Sequence, residues 1–410
     1  MKQTLWTRNF TLVTVATTLG MIGGIAGGFA LSFLVFDETG STLAAALIIA
    51  IQFVPTFLLP LFLAPWMDRL PRKPFLVGGD VVNAVLYTLM GVYLMFFRFS
   101  YIGYLAYSLV LSALGTVDEL AYNSIYPKLI PKGMEEKGYA VSSMLYPMMK
   151  VLLMPVAAVL LEFFGVAWLL VLQGGFSLAA ALVESCIRIT ETARLDENGY
   201  SFRLWCEDIR EAAQYLRKER GLQNIYGYMA VTNGVAGGYG PILVAFFRTM
   251  PGFTAAMYSF FSVAEFLGRT VGSAVQYRLK LPPKKKFSFT FFVYLFYETM
   301  DMMLLWLPYP LMLVNRAAAG FLGANSATLR RAAVQRYIPE QLRARINAFE
   351  NMLITAAISI LSLGVGALGE AVDYRLCLTI CGAVAMLACW LTVFRARKSV
   401  RAVYEFEENS

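Results

Sequence analysis

Apolar residues gather in long runs along this chain, separated by short polar segments. The runs fall near 10–36, 41–64, 75–97, 101–123, 141–163 and 166–188. After a polar stretch they resume near 222–248, 253–277, 287–306, 309–330, 346–369 and 374–394. A helix needs about 20 residues to cross a hydrocarbon layer. Hydrocarbon offers no partner for backbone N–H and C=O groups, so each run is predicted to be a helix that satisfies its own backbone. The pattern thus predicts an all-α membrane protein with twelve transmembrane helices in two six-helix bundles. Its parts are a first bundle over 1–188, a linker over 189–221, a second bundle over 222–394 and a cytoplasmic tail over 395–410. The linker has a different pattern. Leu204, Trp205, Ile209, Ala212, Ala213 and Leu216 recur at helical spacing among charges, which predicts an amphipathic helix lying on the inner membrane face. The acidic end, YEFEENS, is expected to be mobile.

Composition sharpens this picture. Hydrophobic residues make up 58% of the chain and charged residues 15%, with mean hydropathy +0.59. Soluble domains carry roughly 25% charged residues. A net charge of +8 would suggest nucleic acid on a soluble protein. Here the charge follows the loops instead. With the N-terminus inside, all but six of the 35 Lys and Arg residues fall on one side; Arg98, Arg248 and Arg375 are outside, and Lys150, Arg269 and Arg316 lie within spans. This asymmetry predicts a multi-pass protein of the cell membrane with both termini cytoplasmic and no nucleic-acid partner. The first run outlasts a signal peptide's apolar region and lacks an A-x-A site.

Several chemistries are excluded. The chain has no histidine, which removes imidazole as base or metal ligand. Of its five cysteines, none forms a CxxC pair, and Cys377 and Cys381, one turn apart, read as small core residues. No metal site or cofactor is expected, and no nucleophile stands beside a base, so an enzyme is not expected. No G-x-x-x-x-G-K-[ST] loop is present; FLGRT, 266–270, lies inside a span. ATP drive is therefore not expected.

The two halves repeat each other. GIAGGFA, 24–30, and GVAGGYG, 234–240, sit in the first span of each half. Gly20, Gly24, Gly28 and Ser32 answer to Ala230, Gly234, Gly238 and Ile242, each set stepping by four down one helix face. Small residues at that spacing predict close helix packing through Gly20, Gly24, Gly28, Gly234 and Gly238. PKLIPKGMEEKGYAVSSM likewise answers to QRYIPEQLRARINAFENM. Six spans per half is an even number, so the halves share one orientation, as in a parallel repeat about an axis along the membrane normal. The second copy differs in carrying Tyr239, Gly240 and Pro241 where the first has Phe29, Ala30 and Leu31, which adds a hydroxyl and a helix-loosening Gly-Pro.

Between the second and third runs stands APWMDRLPRK, 64–73. It resembles the loop motif of the major facilitator superfamily, G-x-x-x-D-R-x-G-R-[RK]. Asp68, Arg69, Arg72 and Lys73 match, and Ala64 and Pro71 replace the two glycines. Asp80, the PKLIP and QRYIP loops and the DIREAAQYL connector resemble the branch that includes macrolide-efflux and enterobactin-export proteins. The resemblance spans essentially the whole chain. It implies a gating role for Asp68, Arg69, Arg72, Lys73 and Asp80; a positive-inside anchor is the plainer reading of the same loop.

Ionisable residues inside spans are costly and face a cavity or a partner. Asp80, Glu184 and Glu350 lie near the inner end, where snorkelling or loop pairing accounts for them. Asp118 and Glu119, being adjacent, face different ways, and Asp118 is the better cavity candidate. Glu265 and Arg269 are placed to pair at i, i+4. The resemblance implies that the fifth and eighth spans meet, so Lys150 could compete for Glu265 and make it a proton-sensitive charge switch. Arg316 lies at the depth of Glu298 and Asp301 and reads either as a structural ion pair or as a substrate contact. The resemblance also implies a cavity lined by spans one, four, seven and ten, with Phe29, Phe33, Tyr122, Asn233, Tyr239, Arg316 and Asn325 as candidate contacts. Aromatics and amides suit an amphipathic ligand. The expected function is a secondary transporter working by alternating access, monomeric in the lipid bilayer, exchanging protons for an exported small molecule. The alternatives are a lysophospholipid or other lipid transporter, and a non-transporting sensor on the same fold.

Overall fold

Each apolar run is helical in the computed structural model, which describes residues 4–67, 71–131, 133–189, 202–278 and 282–406. No strand occurs among the described residues. Contacts divide the chain into two compact units, Met1–Thr39 with Ile51–Phe202, and Gly40–Ala50 with Arg203–Ser410. Among the described residues, seven helical stretches carry an 18-residue window apolar enough to span a membrane.

The first unit contains α1 (Arg8–Thr39), α3 (Phe53–Met67), α4 (Lys73–Phe96), α5 (Tyr101–Leu129) and α6 (Glu135–Ser185); α2 (Thr42–Ile51) is grouped with the second. Two predicted spans lie inside α6. They are separated at Gly165, whose φ of +73° and ψ of 173° interrupt the helix and which falls between the runs ending at 163 and starting at 166. A positive φ of this kind is one that glycine adopts without steric cost.

The second unit continues with α7 (Phe202–Lys218), α8 (Arg220–Gly237), α9 (Tyr239–Thr249), α10 (Ala255–Arg278), α11 (Pro283–Met303), α12 (Tyr309–Tyr337), α13 (Glu340–Ala371), α14 (Tyr374–Ala388) and α15 (Arg397–Tyr404). Proline explains two of the divisions. A proline lacks the N–H that would bond the carbonyl four residues earlier. Helix α2 ends at Ile51, four before Pro55, and α8 ends at Gly237, four before Pro241. The loosening expected of Gly240–Pro241 is therefore a break between α8 and α9. Within this unit α2 docks on α13: Thr42 Oγ1 donates to Gly366 O at 2.7 Å, and Leu43 N donates to Glu370 Oε1 at 3.2 Å.

Two expectations, for the linker and for the tail, are revised. The apolar face of α7 does not lie bare on the membrane, because Ala212 and Leu216 are buried in a cluster with Leu222, Ile225, Ala333 and Val334. The tail over 395–410 begins with a docked helix that includes Tyr404, the first residue of the acidic segment expected to be mobile, and 407–410 lie outside the described residues. Val400, Val403 and Tyr404 of α15 are buried in that cluster, and the Tyr404 and Tyr294 hydroxyls lie 2.9 Å apart.

Close crossings are made by glycine, as association in lipid requires. The stripe on α1 needs correction. Gly20, Gly24 and Gly28 have open space where a Cβ would stand, whereas Gly23 and Gly27 press on Gln173 of α6. Both sets step by four, and the face turned toward α6 is the one that packs. On α8 and its C-cap the expected glycines do pack: a Cβ at Gly234 would lie 2.8 Å from Ala357 O, and one at Gly238 would lie 2.5 Å from Val365 Cβ. The α10–α12 crossing is reciprocal. Gly268 and Gly272 press on the Ala317 and Phe321 carbonyls, and Gly320 presses on the Glu265 carbonyl. Backbone cannot yield as a flexible side chain can. Gly268→Ala and Gly320→Ala are therefore expected to cost about 1–3 kcal/mol, while Gly24→Ala and Gly28→Ala should leave stability unchanged or raised. Thermal unfolding of the purified variants checks this order.

Candidate functional site

The tight α10–α12 crossing sets polar side chains of the second unit at fixed positions inside a membrane-spanning bundle. Glu298 and Asp301 are three residues apart on α11 and so share a face. Arg316, on α12, donates from Nη2 to Asp301 Oδ1, and this pair is buried on both sides. Glu298, 3% exposed, takes a different donor: the Tyr228 hydroxyl of α8 at 2.9 Å. The Tyr239 phenol of α9 reaches Asp301. Beside them Asn315 Nδ2 donates to Met300 O at 3.0 Å.

A second pair lies nearer the surface of the unit. Arg269 donates from Nε and Nη2 to Glu265 Oε1 at 3.0 and 2.7 Å, with side chains 53% and 32% exposed. Two guanidiniums thus stand among three carboxylates, Glu265, Glu298 and Asp301. Of the two readings for Arg316, the pairing partner is Asp301. Lys150 lies half-buried on α6 of the first unit.

The first unit gathers carboxylates of its own. Asn83 Nδ2 of α4 donates to Asp118 Oδ2 of α5 at 3.0 Å. The other oxygen of Asp118 rests on Gly79 without a hydrogen-bond partner. Glu184, buried near the end of α6, feels both Asp80 and Asp118. It is therefore held inside the unit and does not snorkel to the interface.

The sequence matches the model of the major facilitator superfamily over residues 12–307. The chain belongs to the major facilitator superfamily. This facilitator is an integral membrane protein. Its backbone is similar to that of the nucleoside transporter NupG at a TM-score of 0.73, with 12% identity over 94% of this chain and 99% of that one. It is also similar to a bacterial homologue of the iron transporter ferroportin in an inward-facing state, at 0.68 and 16% identity over 99% and 100%. A POT family transporter in complex with a thioalcohol-conjugated peptide gives 0.68 at 11% identity over 96% of each chain. No curated protein matches the sequence.

In this facilitator's loop motif, Asp68 and Arg69 lie outside the described residues. Arg72 and Asp80 are half-buried. Lys73 Nζ donates to the Ser185 and Ile187 carbonyls at 2.7 and 2.8 Å, so it satisfies the C-terminal end of α6. Among the cavity candidates, Phe29 and Phe33 are buried with ring centres 5.0 Å apart, and Tyr122 stacks on Tyr126 at 5.0 Å. Asn233 and Asn325 each donate to the carbonyl one turn back, at 2.8 Å, and only Asn233 is exposed.

The amino-acid pattern offered Glu298 and Asp301 as ion-pair partners for Arg316, and the structure selects Asp301; it did not single out Tyr228. Their i, i+3 spacing was the available signal; the Tyr228 contact, 70 residues away in sequence, carried none. The Asp301–Arg316 pair yields a stability prediction. Removing one partner of a buried pair strands the other charge at about 3–5 kcal/mol, whereas removing both with apolar groups is close to neutral. Asp301→Asn is expected to destabilise by that amount and Asp301→Leu with Arg316→Met far less, measured by thermal unfolding in detergent.

Proposed function

We propose that this transporter exports an amphipathic small molecule, a drug-like compound or siderophore, in exchange for protons by alternating access. Its proposed home is the cell membrane, with both termini cytoplasmic. The observation that carries the coupling is the charge network of the second unit, in which three carboxylates and two guanidiniums lie on α10, α11 and α12, helices formed by runs whose apolar pattern predicts membrane spans. Ionisable groups are retained at that cost where a charge must be moved or switched. Glu265 is the partly exposed carboxylate of the network. The excess of Lys and Arg on one side of the spans supports the orientation. The loops that resemble the macrolide-efflux and enterobactin-export branch support efflux. The aromatic and amide candidates, Phe29, Phe33, Tyr122, Tyr239, Asn233 and Asn325, support an amphipathic ligand.

A lipid substrate is the second reading. One observation favours it: an apolar groove of 610 Å³ lined by Leu19, Leu160, Phe164, Trp168, Leu172 and Phe176, among others, in the first unit. Everted vesicles separate the two. With a proton gradient imposed, adding a transported drug or siderophore is expected to dissipate it, and Glu265→Gln is expected to slow gradient-driven uptake roughly tenfold or more. Uptake indifferent to the gradient contradicts proton exchange. Movement of labelled lysophospholipid alone favours the lipid reading.

A further inference from the structure

The cluster of Glu265, Arg269, Glu298, Asp301 and Arg316 holds one carboxylate more than its guanidiniums can neutralise. Arginine stays charged under all physiological conditions. Arg269 belongs to Glu265, and Arg316 belongs to Asp301. Glu298 is left over. The groups that face it are Asp301 on its own helix, Tyr228 of α8, Tyr239 of α9 and Cys389 beyond α14. Two are tyrosines, one is a thiol and one is a carboxylate. Among the described residues none is a cation placed on Glu298. Its carboxyl is 3% exposed, beside a second carboxylate, inside a membrane-spanning bundle.

Such a group escapes the cost of a dry, unpaired charge by keeping a proton. The hydrogen bonding fits this form. The Tyr228 hydroxyl donates to Oε1 at 2.9 Å, which then serves as the carbonyl oxygen of a neutral acid, with the proton on Oε2. We infer that Glu298 is a proton-binding site of this protein, with Tyr228 fixing the carboxyl and the Asp301–Arg316 pair fixing the helix face beneath it. Release leaves the electron pair on the Glu298 carboxylate and passes the proton to water, once a rearrangement of the bundle hydrates the site. The proposed role of this proton in transport rests on the proton-exchange reading above; its presence on Glu298 does not.

Infrared spectroscopy of the reconstituted protein at neutral pH tests the assignment. A protonated-carboxyl C=O stretch is expected in the wild type, lost in Glu298→Gln and retained in Glu265→Gln. No such band in the wild type, or a band undiminished in Glu298→Gln, overturns it. Should Glu298→Gln fail to fold, Tyr228→Phe keeps the carboxyl but removes its donor, and the band must move to higher frequency; an unmoved band also overturns the assignment. In everted vesicles, Glu298→Gln is expected to lose the dependence of uptake on the proton gradient. Wild-type uptake that ignores the gradient, with the band still assigned to Glu298, contradicts proton exchange and leaves the proton site standing.

Discussion

Hydrocarbon offers a polar group nothing to bond with, and most of this structure follows from that constraint. It makes every apolar run a helix, since only a helix satisfies its backbone without neighbours. It also dictates how helices meet. Lipid is as apolar as leucine, so burial alone does not drive helices together, and close approach through glycine supplies the packing. The Gly268, Gly272 and Gly320 crossing brings α10 and α12 near enough for backbone carbonyls to touch the facing helix. That crossing sets the Glu265 backbone against α12, four residues from Arg316.

The same constraint sorts the charges. Within the cluster of Glu265, Arg269, Glu298, Asp301 and Arg316, each guanidinium has a carboxylate, and the carboxylate without one has a phenol. In the first unit Asp80, Asp118 and Glu184 cluster, with Asn83 supplying a neutral donor to Asp118. The Lys73 ammonium ties the end of α6. Coupling between substrate and proton needs groups whose charge costs more in one arrangement of the helices than in another. A carboxyl held neutral by burial is such a group, because water entering beside it removes the penalty on ionisation.

Much of the fold was legible in the sequence because apolar run length and proline position act locally. The break at Gly165 fell between two predicted spans, and Gly240–Pro241 marked the end of α8, whereas the break before Pro55 lies inside a run read as one span. Facial choices were not legible. Helix α1 offers two glycine sets with the same spacing, and only the position of Gln173 decides between them. The docking of α15 rests on Val400, Val403 and Tyr404, too few residues to carry a pattern. At the site, Glu265–Arg269 could be read from four-residue spacing, whereas Tyr228–Glu298 joins helices 70 residues apart.

The central claim is that Glu298, the extra carboxylate of this cluster, is neutral, so that the cluster's charges balance. The unfolding free energy of Glu298→Gln against wild type, measured in bilayers at neutral pH, tests it most directly. Glutamine reproduces the shape and neutrality of a protonated glutamate. The account predicts a difference within about 1 kcal/mol, the scale of one altered hydrogen bond. A loss of about 3–5 kcal/mol, the scale of breaking a buried ion pair, would contradict it and place a charge on Glu298.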